Sequence, residues 1–154
     1  MPFMRDVLLA FFASENINVE TADDGRVMRV AFQGENGRFL GFVRAGDAAG
    51  VIALYTLCPI EVPADRMSHA LELVARLNST SVLGNLELDV DAGTMRYKTS
   101  IDVEGVQHAD ALEDLVANLV WSNVASLDRM LPAITAVVVK GARPRDAVQA
   151  IEGS

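Results

Sequence analysis

The stretch from Arg26 to Ala45 reads RVMRVAFQGENGRFLGFVRA, and it decides the fold class. Two apolar runs flank its central Gly34-Glu-Asn-Gly37 segment. Asn36 and Gly37 both accept positive φ, and Asn-Gly between apolar runs is a strong hairpin signal. With these two as the turn residues, Arg29 is expected opposite Arg44. The stretch therefore predicts an antiparallel hairpin.

Both faces of this predicted hairpin are apolar. One face carries Met28, Val30, Phe32, Phe39 and Val43, and the other carries Val27, Ala31, Leu40 and Phe42. An antiparallel sheet commonly leaves one face polar. The second face therefore needs a cover, for which there are three candidates: the third or last helix, a second copy of the chain, or a bound partner.

Periodicity assigns the remaining elements around the hairpin. Helices are predicted over residues 3–14, 64–78, 110–131 and 144–151, and strands over 17–22, 26–33, 38–45, 51–58, 86–91 and 95–103. Pro132 is expected to kink or break the third helix. The sum predicts an α+β fold with an antiparallel sheet, in the order α-ββββ-α-ββ-α, with the helices packed on the sheet.

Two finer expectations concern the second half of the chain. Alternation from Leu86 onward predicts a hairpin in which Val90 faces Met95, and that register also sets Asp89 against Arg96 and Glu87 against Lys98. Asp110, three residues before Glu113, has the spacing of a capping box at the start of the third helix.

Length and composition limit the function classes. With 154 residues, of which 51% are hydrophobic, the chain is expected to be a single domain over residues 1–154 that buries about 70% of its unfolded surface. The formal charge of −8 argues against nucleic-acid binding. The apolar stretch 7–13 is predicted to be helix rather than a signal peptide, and no stretch is long enough to span a membrane. The cytoplasm is the expected location.

No motif in the sequence dictates a chemistry. Cys58 is the single cysteine, which excludes an internal disulfide, and it has no neighbouring imidazole to activate it. His69 and His108 lack metal-ligand spacing and are interpreted as surface or capping residues. We therefore expect no catalytic residue, cofactor or metal, and no enzyme activity.

Three charged or aromatic residues have alternative interpretations. Arg29 and Arg44, if directly opposite, need a shared carboxylate, splayed side chains or a bound anion between them. The last alternative makes them a candidate anion site. Trp121, on the third helix, is either a core residue or an interface anchor.

The sequence resembles the bacterial YbjN-like family over roughly residues 3–140. The resemblance is carried by four segments and a closing helix: Gln33-Gly-Glu-Asn-Gly-Arg-Phe-Leu-Gly-Phe-Val43, Val-Pro-Ala-Asp at 62–65, Gly84-Asn-Leu-Glu-Leu-Asp89, Arg96-Tyr-Lys-Thr-Ser-Ile-Asp-Val-Glu104, and Asn123-Val-Ala-Ser-Leu-Asp-Arg-Met-Leu-Pro132. These are strand and helix patterns, not catalytic signatures.

The resemblance implies a fold similar to type III secretion chaperones, which are small α+β proteins that dimerise and hold peptides of partner proteins. Members are also described as candidate sensory-transduction regulators. The first hypothesis is therefore a non-enzymatic protein-binding module, chaperone-like or regulatory, acting as a homodimer with an unidentified protein or peptide partner. Its candidate interface is Phe39, Phe42, Tyr55 and Trp121. The alternative is a small-molecule or anion sensor using Arg29 and Arg44.

Overall fold

The computed structural model describes residues 2–46 and 50–153, with side chains from Met4 onward. The elements follow in the order α1 Pro2–Ser14, β1 Glu20–Ala22, a 3-10 turn Asp23–Gly25, β2 Val27–Gln33, β3 Arg38–Gly46, β4 Val51–Leu57, a 3-10 turn Ala64–Arg66, α2 Met67–Ser79, β5 Asn85–Leu88, β6 Met95–Asp102, α3 Ala109–Val138 and α4 Pro144–Glu152. The α+β class and the order of helices and strands are confirmed.

The six strands form one antiparallel sheet in the order β1-β2-β3-β4-β6-β5. The first four strands are sheet neighbours in chain order, and α2 lies between β4 and the β5–β6 hairpin in the sequence. Asn78 of α2 closes part of the edge of β5, because its side-chain amide exchanges two 2.8 Å hydrogen bonds with the backbone of Leu86. The side chain thus substitutes locally for a further strand.

The predicted register of the β2–β3 hairpin is wrong by two residues. Arg29 faces Phe42, not Arg44, and the turn lies at Glu35-Asn36 with ordinary negative φ. The reason is a tertiary contact with α3. The Asp128 carboxylate accepts hydrogen bonds from the backbone N–H groups of Glu35 at 3.0 Å and Asn36 at 2.8 Å. A shift of two residues keeps every side chain on its predicted face.

The β5–β6 hairpin differs from its prediction in the same way. Leu88, not Val90, faces Met95, and Glu87 faces Arg96. The Asp89 side chain accepts hydrogen bonds from the N–H groups of Asp91 and Ala92 at 3.0 Å each, which widens the loop beyond a tight turn. In this hairpin too, each side chain lies on its predicted face, but the predicted pairing between the strands is wrong.

Helix α3 runs through Pro132 without the predicted break. A proline removes the N–H that would bond the carbonyl four residues earlier, here that of Asp128. Asn36 supplies the missing donor, because its side-chain Nδ2 donates to the Asp128 carbonyl oxygen at 3.0 Å. The start of α3 also differs from expectation: His108 is the N-cap, and Asp110 lies in the first turn without capping it.

All four helices lie on the same face of the sheet, which we call the inner face. Phe11 of α1 packs edge-to-face on Trp121 of α3, and Trp121 packs on Phe32 of β2, with ring centroids 6.1 and 6.4 Å apart. Asn123 of α3 donates to the Leu54 and Tyr97 carbonyl oxygens, both at 3.1 Å. Helices α2 and α4 complete this layer, and the buried side chains of helices and sheet form one core.

Candidate protein-binding face

The opposite side of the sheet, the outer face, has no helix packed on it in the described part of the chain. Its centre is apolar and consists of side chains on β2, β3 and β4, of which Ala53 is buried, Leu57 is exposed and the others are partly buried: Val27, Ala31, Leu40, Phe42, Ala53, Tyr55 and Leu57. The prediction that the third or last helix covers this face is therefore wrong. A second copy of the chain and a bound partner remain.

Phe42 and Tyr55 face each other across β3 and β4 at the centre of the outer face. Strand alternation places them there, because each lies between two buried inner-face residues. The Arg96 guanidinium lies over the Tyr55 ring, 4.4 Å from its centroid. This cation–π contact restrains the Tyr55 ring on the outer face.

A small charge network borders the aromatic pair on β5 and β6. Glu87 accepts a 2.6 Å hydrogen bond from Arg96 Nε and makes a 2.8 Å ion pair with Lys98. Partial burial opposes ionisation of Glu87, but the hydrogen bonds and charges of Lys98 and Arg96 win, so the pKa of Glu87 lies below its usual value. The hydrogen bond to Glu87 raises the pKa of Lys98. Both groups are therefore charged at neutral pH.

The two candidate anion-binding arginines lie on the outer face, diagonally rather than directly across the hairpin. Arg29 faces Phe42, and Arg44 faces Val27. The expected direct Arg29–Arg44 pair is thus wrong, and no shared carboxylate or anion is needed to explain it. Arg29 instead lies 3.7 Å from the carboxylate of Glu20 on β1. The two arginines flank Phe42 and give the rim of the apolar centre a positive charge.

The structure does not bring the four candidate interface residues together. Phe42 and Tyr55 share the outer face, whereas Phe39 points to the inner face and is only 1% exposed. Trp121 lies in the helix layer and has features of both a core residue and a surface residue. Its ring packs on Phe11 and Phe32, and 41% of the residue is still exposed. The alternation of residues in the sequence already places Phe39 and Phe42 on opposite faces of the hairpin. It therefore indicates that the two cannot belong to one interface.

The described residues contain neither an activated thiol nor a cluster of side chains placed for a metal ion. Burial raises the pKa of the Cys58 thiol despite a hydrogen bond with the Ile60 backbone, so the thiol is a weak nucleophile at neutral pH. Residues 2–46 and 50–153 hold no group of three histidine, cysteine or carboxylate side chains placed for a metal ion. None of the helices in this part of the chain is long and apolar enough to cross a bilayer.

Comparison with solved structures places the architecture in a known fold. The crystal structure of YbjN from E. coli, described as "a putative transcription regulator", aligns with a TM-score of 0.58 at 12% identity, covering 81% of this chain and 89% of that one. A chain of the ExsC–ExsE complex aligns with a TM-score of 0.52 at 8% identity, covering 82% and 90%. A chain of the HopA1–SchA chaperone–effector complex gives 0.48 at 21%, covering 78% and 90%. The alignments with YbjN and with the chain of the ExsC–ExsE complex confirm the expected α+β fold.

The family assignment rests on the sequence. The family model YbjN, described as "Putative bacterial sensory transduction regulator", matches residues 4–136, and the chain belongs to that family. No curated protein matches the chain significantly. The match spans both hairpins and most of α3.

Proposed function

We propose that the chain is a non-enzymatic protein-binding module, chaperone-like or regulatory, that works in the cytoplasm as a homodimer. One observation carries the proposal: the outer face presents an apolar centre around Phe42 and Tyr55 that no described helix covers. Apolar centres with a polar rim are typical of interfaces between proteins.

The composition of the outer face suits binding rather than solubility. Tyrosine and arginine are enriched among residues that carry binding energy, and here Tyr55 and Arg96 are already stacked. Arg29 and Arg44 border the same centre. A pre-assembled aromatic and cationic surface loses little conformational freedom when a partner covers it.

Two occupants fit this face under the proposal. A second copy can cover it through a two-fold contact that places the same apolar centre on both sides. An extended segment of a partner can lie on it instead, with its apolar side chains on Phe42 and Tyr55. The ExsC–ExsE structure contains a protein of this fold in complex with another protein, so protein binding is compatible with the fold.

The test is the substitution Phe42→Asp, with Leu71→Asp as the matched control. Leu71 is an apolar residue of α2 that is 46% exposed and lies on the helix layer. We expect Phe42→Asp to weaken self-association, measured by light scattering, and co-purification of protein partners by about tenfold or more. The control should change neither. If Phe42→Asp leaves both unchanged while urea unfolding shows an intact fold, the outer face is not the binding surface.

The anion-sensing alternative stays a prediction with a separate test. If Arg29 and Arg44 bind a small anion, inorganic phosphate or a carboxylate metabolite should raise the melting temperature of the protein. Arg44→Ala should abolish that rise. A rise that survives Arg44→Ala would place the anion elsewhere.

A further inference from the structure

Strand β6 is longer than the edge strand beside it. Pairing between β5 and β6 ends at Asn85 and Lys98, while pairing between β4 and β6 continues to Asp102. The segment from Thr99 to Asp102 is therefore bonded to β4 on one side and to no described strand on the other. The second half of β6 is therefore an open edge of the sheet, which we call the open edge.

The direction of the backbone groups along this edge follows from alternation. In an antiparallel ladder, residues that bond to one neighbour alternate with residues that bond to the other. Met95 and Val103 bond toward the β4 side, to Cys58 and Gly50, at 2.9 and 2.7 Å. Even-numbered residues consequently bond away from β4, so Ser100 and Asp102 direct their N–H and C=O groups at the open edge.

The residues just before β5 do not pair with this edge, and two contacts fix their backbone. Gly84, just before β5, has φ +77, and a Cβ at this position would collide with the Lys98 carbonyl oxygen. The preceding residue, Leu83, is fixed because its carbonyl oxygen accepts a 2.7 Å hydrogen bond from the buried Tyr97 hydroxyl. Leu83 and Val82 are left 61% and 93% exposed. The fixed backbone at Leu83 and Gly84 thus leaves the Leu83 side chain beside the open edge.

A groove of about 540 Å³ lies between the open edge and α3. Its apolar walls are Leu83, Ile101, Leu115, Leu119 and Trp121, with polar side chains of Thr99, Ser100, Asn118 and Ser122 between them. Trp121 cannot collapse into the groove freely, because its ring is held against Phe11 and Phe32. The groove therefore offers preformed contacts to side chains that alternate along an added strand.

The surroundings of the groove are acidic. Exposed carboxylates lie on the segment that leaves β6 and on the first turns of α3: Asp102, Glu104, Asp110, Glu113 and Asp114. Between Thr99 and Leu115 the sequence has no lysine or arginine to neutralise them. A ligand of this surface gains from positive charge. Two copies paired through the same edge would bring these carboxylates together, which disfavours a second copy as occupant.

We propose that the open edge of β6 and its groove bind an extended segment of another protein, with apolar residues at alternate positions and lysine or arginine at the others. The segment adds a strand beside Ser100 and Asp102, and its apolar side chains enter the groove toward Trp121. This surface is on a different part of the molecule from the outer-face centre at Phe42. The two sites can therefore be tested independently.

The probe is a fluorescein-labelled synthetic peptide of about ten residues with alternating valine and lysine, titrated against the full chain by fluorescence anisotropy. Two matched peptides accompany it: one with N-methyl groups on the amides that would face β6, and one with glutamate in place of lysine. The protein variants are Trp121→Ala and Ser100→Pro, which removes the outward N–H. Phe42→Asp is the control, because it alters only the outer face.

The proposal predicts saturable binding of the alternating peptide, weakened about tenfold or more by either groove variant, by N-methylation and by glutamate, and unchanged by Phe42→Asp. If Ser100→Pro does not fold, Trp121→Ala and the N-methylated peptide still decide the question. Absence of binding up to about 1 mM overturns the proposal. So does equal binding of the N-methylated peptide, or a change in self-association with Trp121→Ala, which would assign the groove to a second copy.

Discussion

Phe39 and Phe42 lie three residues apart on β3 and belong to opposite faces of the sheet. Phe39 is enclosed by the helix layer, whereas Phe42 lies partly exposed among arginines. The two faces have similar apolar side chains, so composition alone does not explain why only one is covered. The difference lies in the helices, which pack on the inner side, where Asn123 of α3 donates to the Leu54 and Tyr97 carbonyl oxygens. The inner face forms the core with the helices, and the outer face is left without a helix among the described residues.

The largest expected effect compares these two phenylalanines directly. Phe39→Ala removes a side chain that is 1% exposed and should lower the free energy of unfolding by about 3–5 kcal/mol. Phe42→Ala should cost only about 1 kcal/mol, because solvent already reaches its ring. Urea unfolding of both variants measures the difference. Equal losses would show that the outer face is as enclosed as the inner face.

The docking of the β2–β3 turn on α3 gives a smaller effect. Asp128→Ala removes the acceptor of the Glu35 and Asn36 N–H groups and should cost about 1–2 kcal/mol. The same urea experiment applies, with Glu35→Ala as a control that keeps the backbone donor. A variant as stable as the wild type would mean that the turn is held by its own geometry.

The partnership of Asn36 with Pro132 can be isolated by a double-mutant cycle. Asn36→Ala should cost about 1 kcal/mol, since it leaves the Asp128 carbonyl without its donor. In a Pro132→Ala background the helix supplies its own N–H, so the same substitution should cost less. Additive losses in the two backgrounds would contradict this account of how α3 passes through a proline.

The smallest effect is the pH dependence of the Glu87 network. Because the folded pKa of Glu87 is lowered, its ion pair stabilises the fold above the unfolded pKa, and this stability is lost as pH falls through the folded value. Lys98 limits the ion pair at alkaline pH. Because its folded pKa is raised, the stabilisation is lost as pH rises through that folded value. Glu87→Gln should therefore cost less than about 1 kcal/mol at neutral pH and almost nothing in acid. A constant cost across the acid range would contradict the ion-pair explanation.

The faces of the strands could be predicted from sequence, and the pairing could not. Period-two alternation separates Phe39 from Phe42 whatever the register is. The register depends on the turns, and both turns are shaped by carboxylates: Asp128, distant in sequence, and Asp89, within the loop itself. An Asn-Gly signal acts locally and was outweighed by the contact with α3. For the same reason, the continuity of α3 through Pro132 was not predictable from the helix alone.

The two proposed binding surfaces differ in the same way in how far the sequence predicts them. The aromatic pair of Phe42 and Tyr55 follows from two apolar strand faces that the sequence shows directly. The open edge of β6 depends on where β5 stops, which Gly84 and its approach to the Lys98 carbonyl decide. Nothing in the alternation of residues 95–103 indicates that only half of this strand has a second neighbour.

Site-specific photo-crosslinking in cells tests the central claim, that the outer face is the binding surface, most directly. A photoreactive phenylalanine analogue would replace Phe42, and in a matched strain Leu71, the exposed apolar residue of the helix layer. The account predicts a discrete crosslinked product from position 42, to a second copy or to another protein, and none from position 71. Products from both positions in equal yield, or none from position 42, would contradict it.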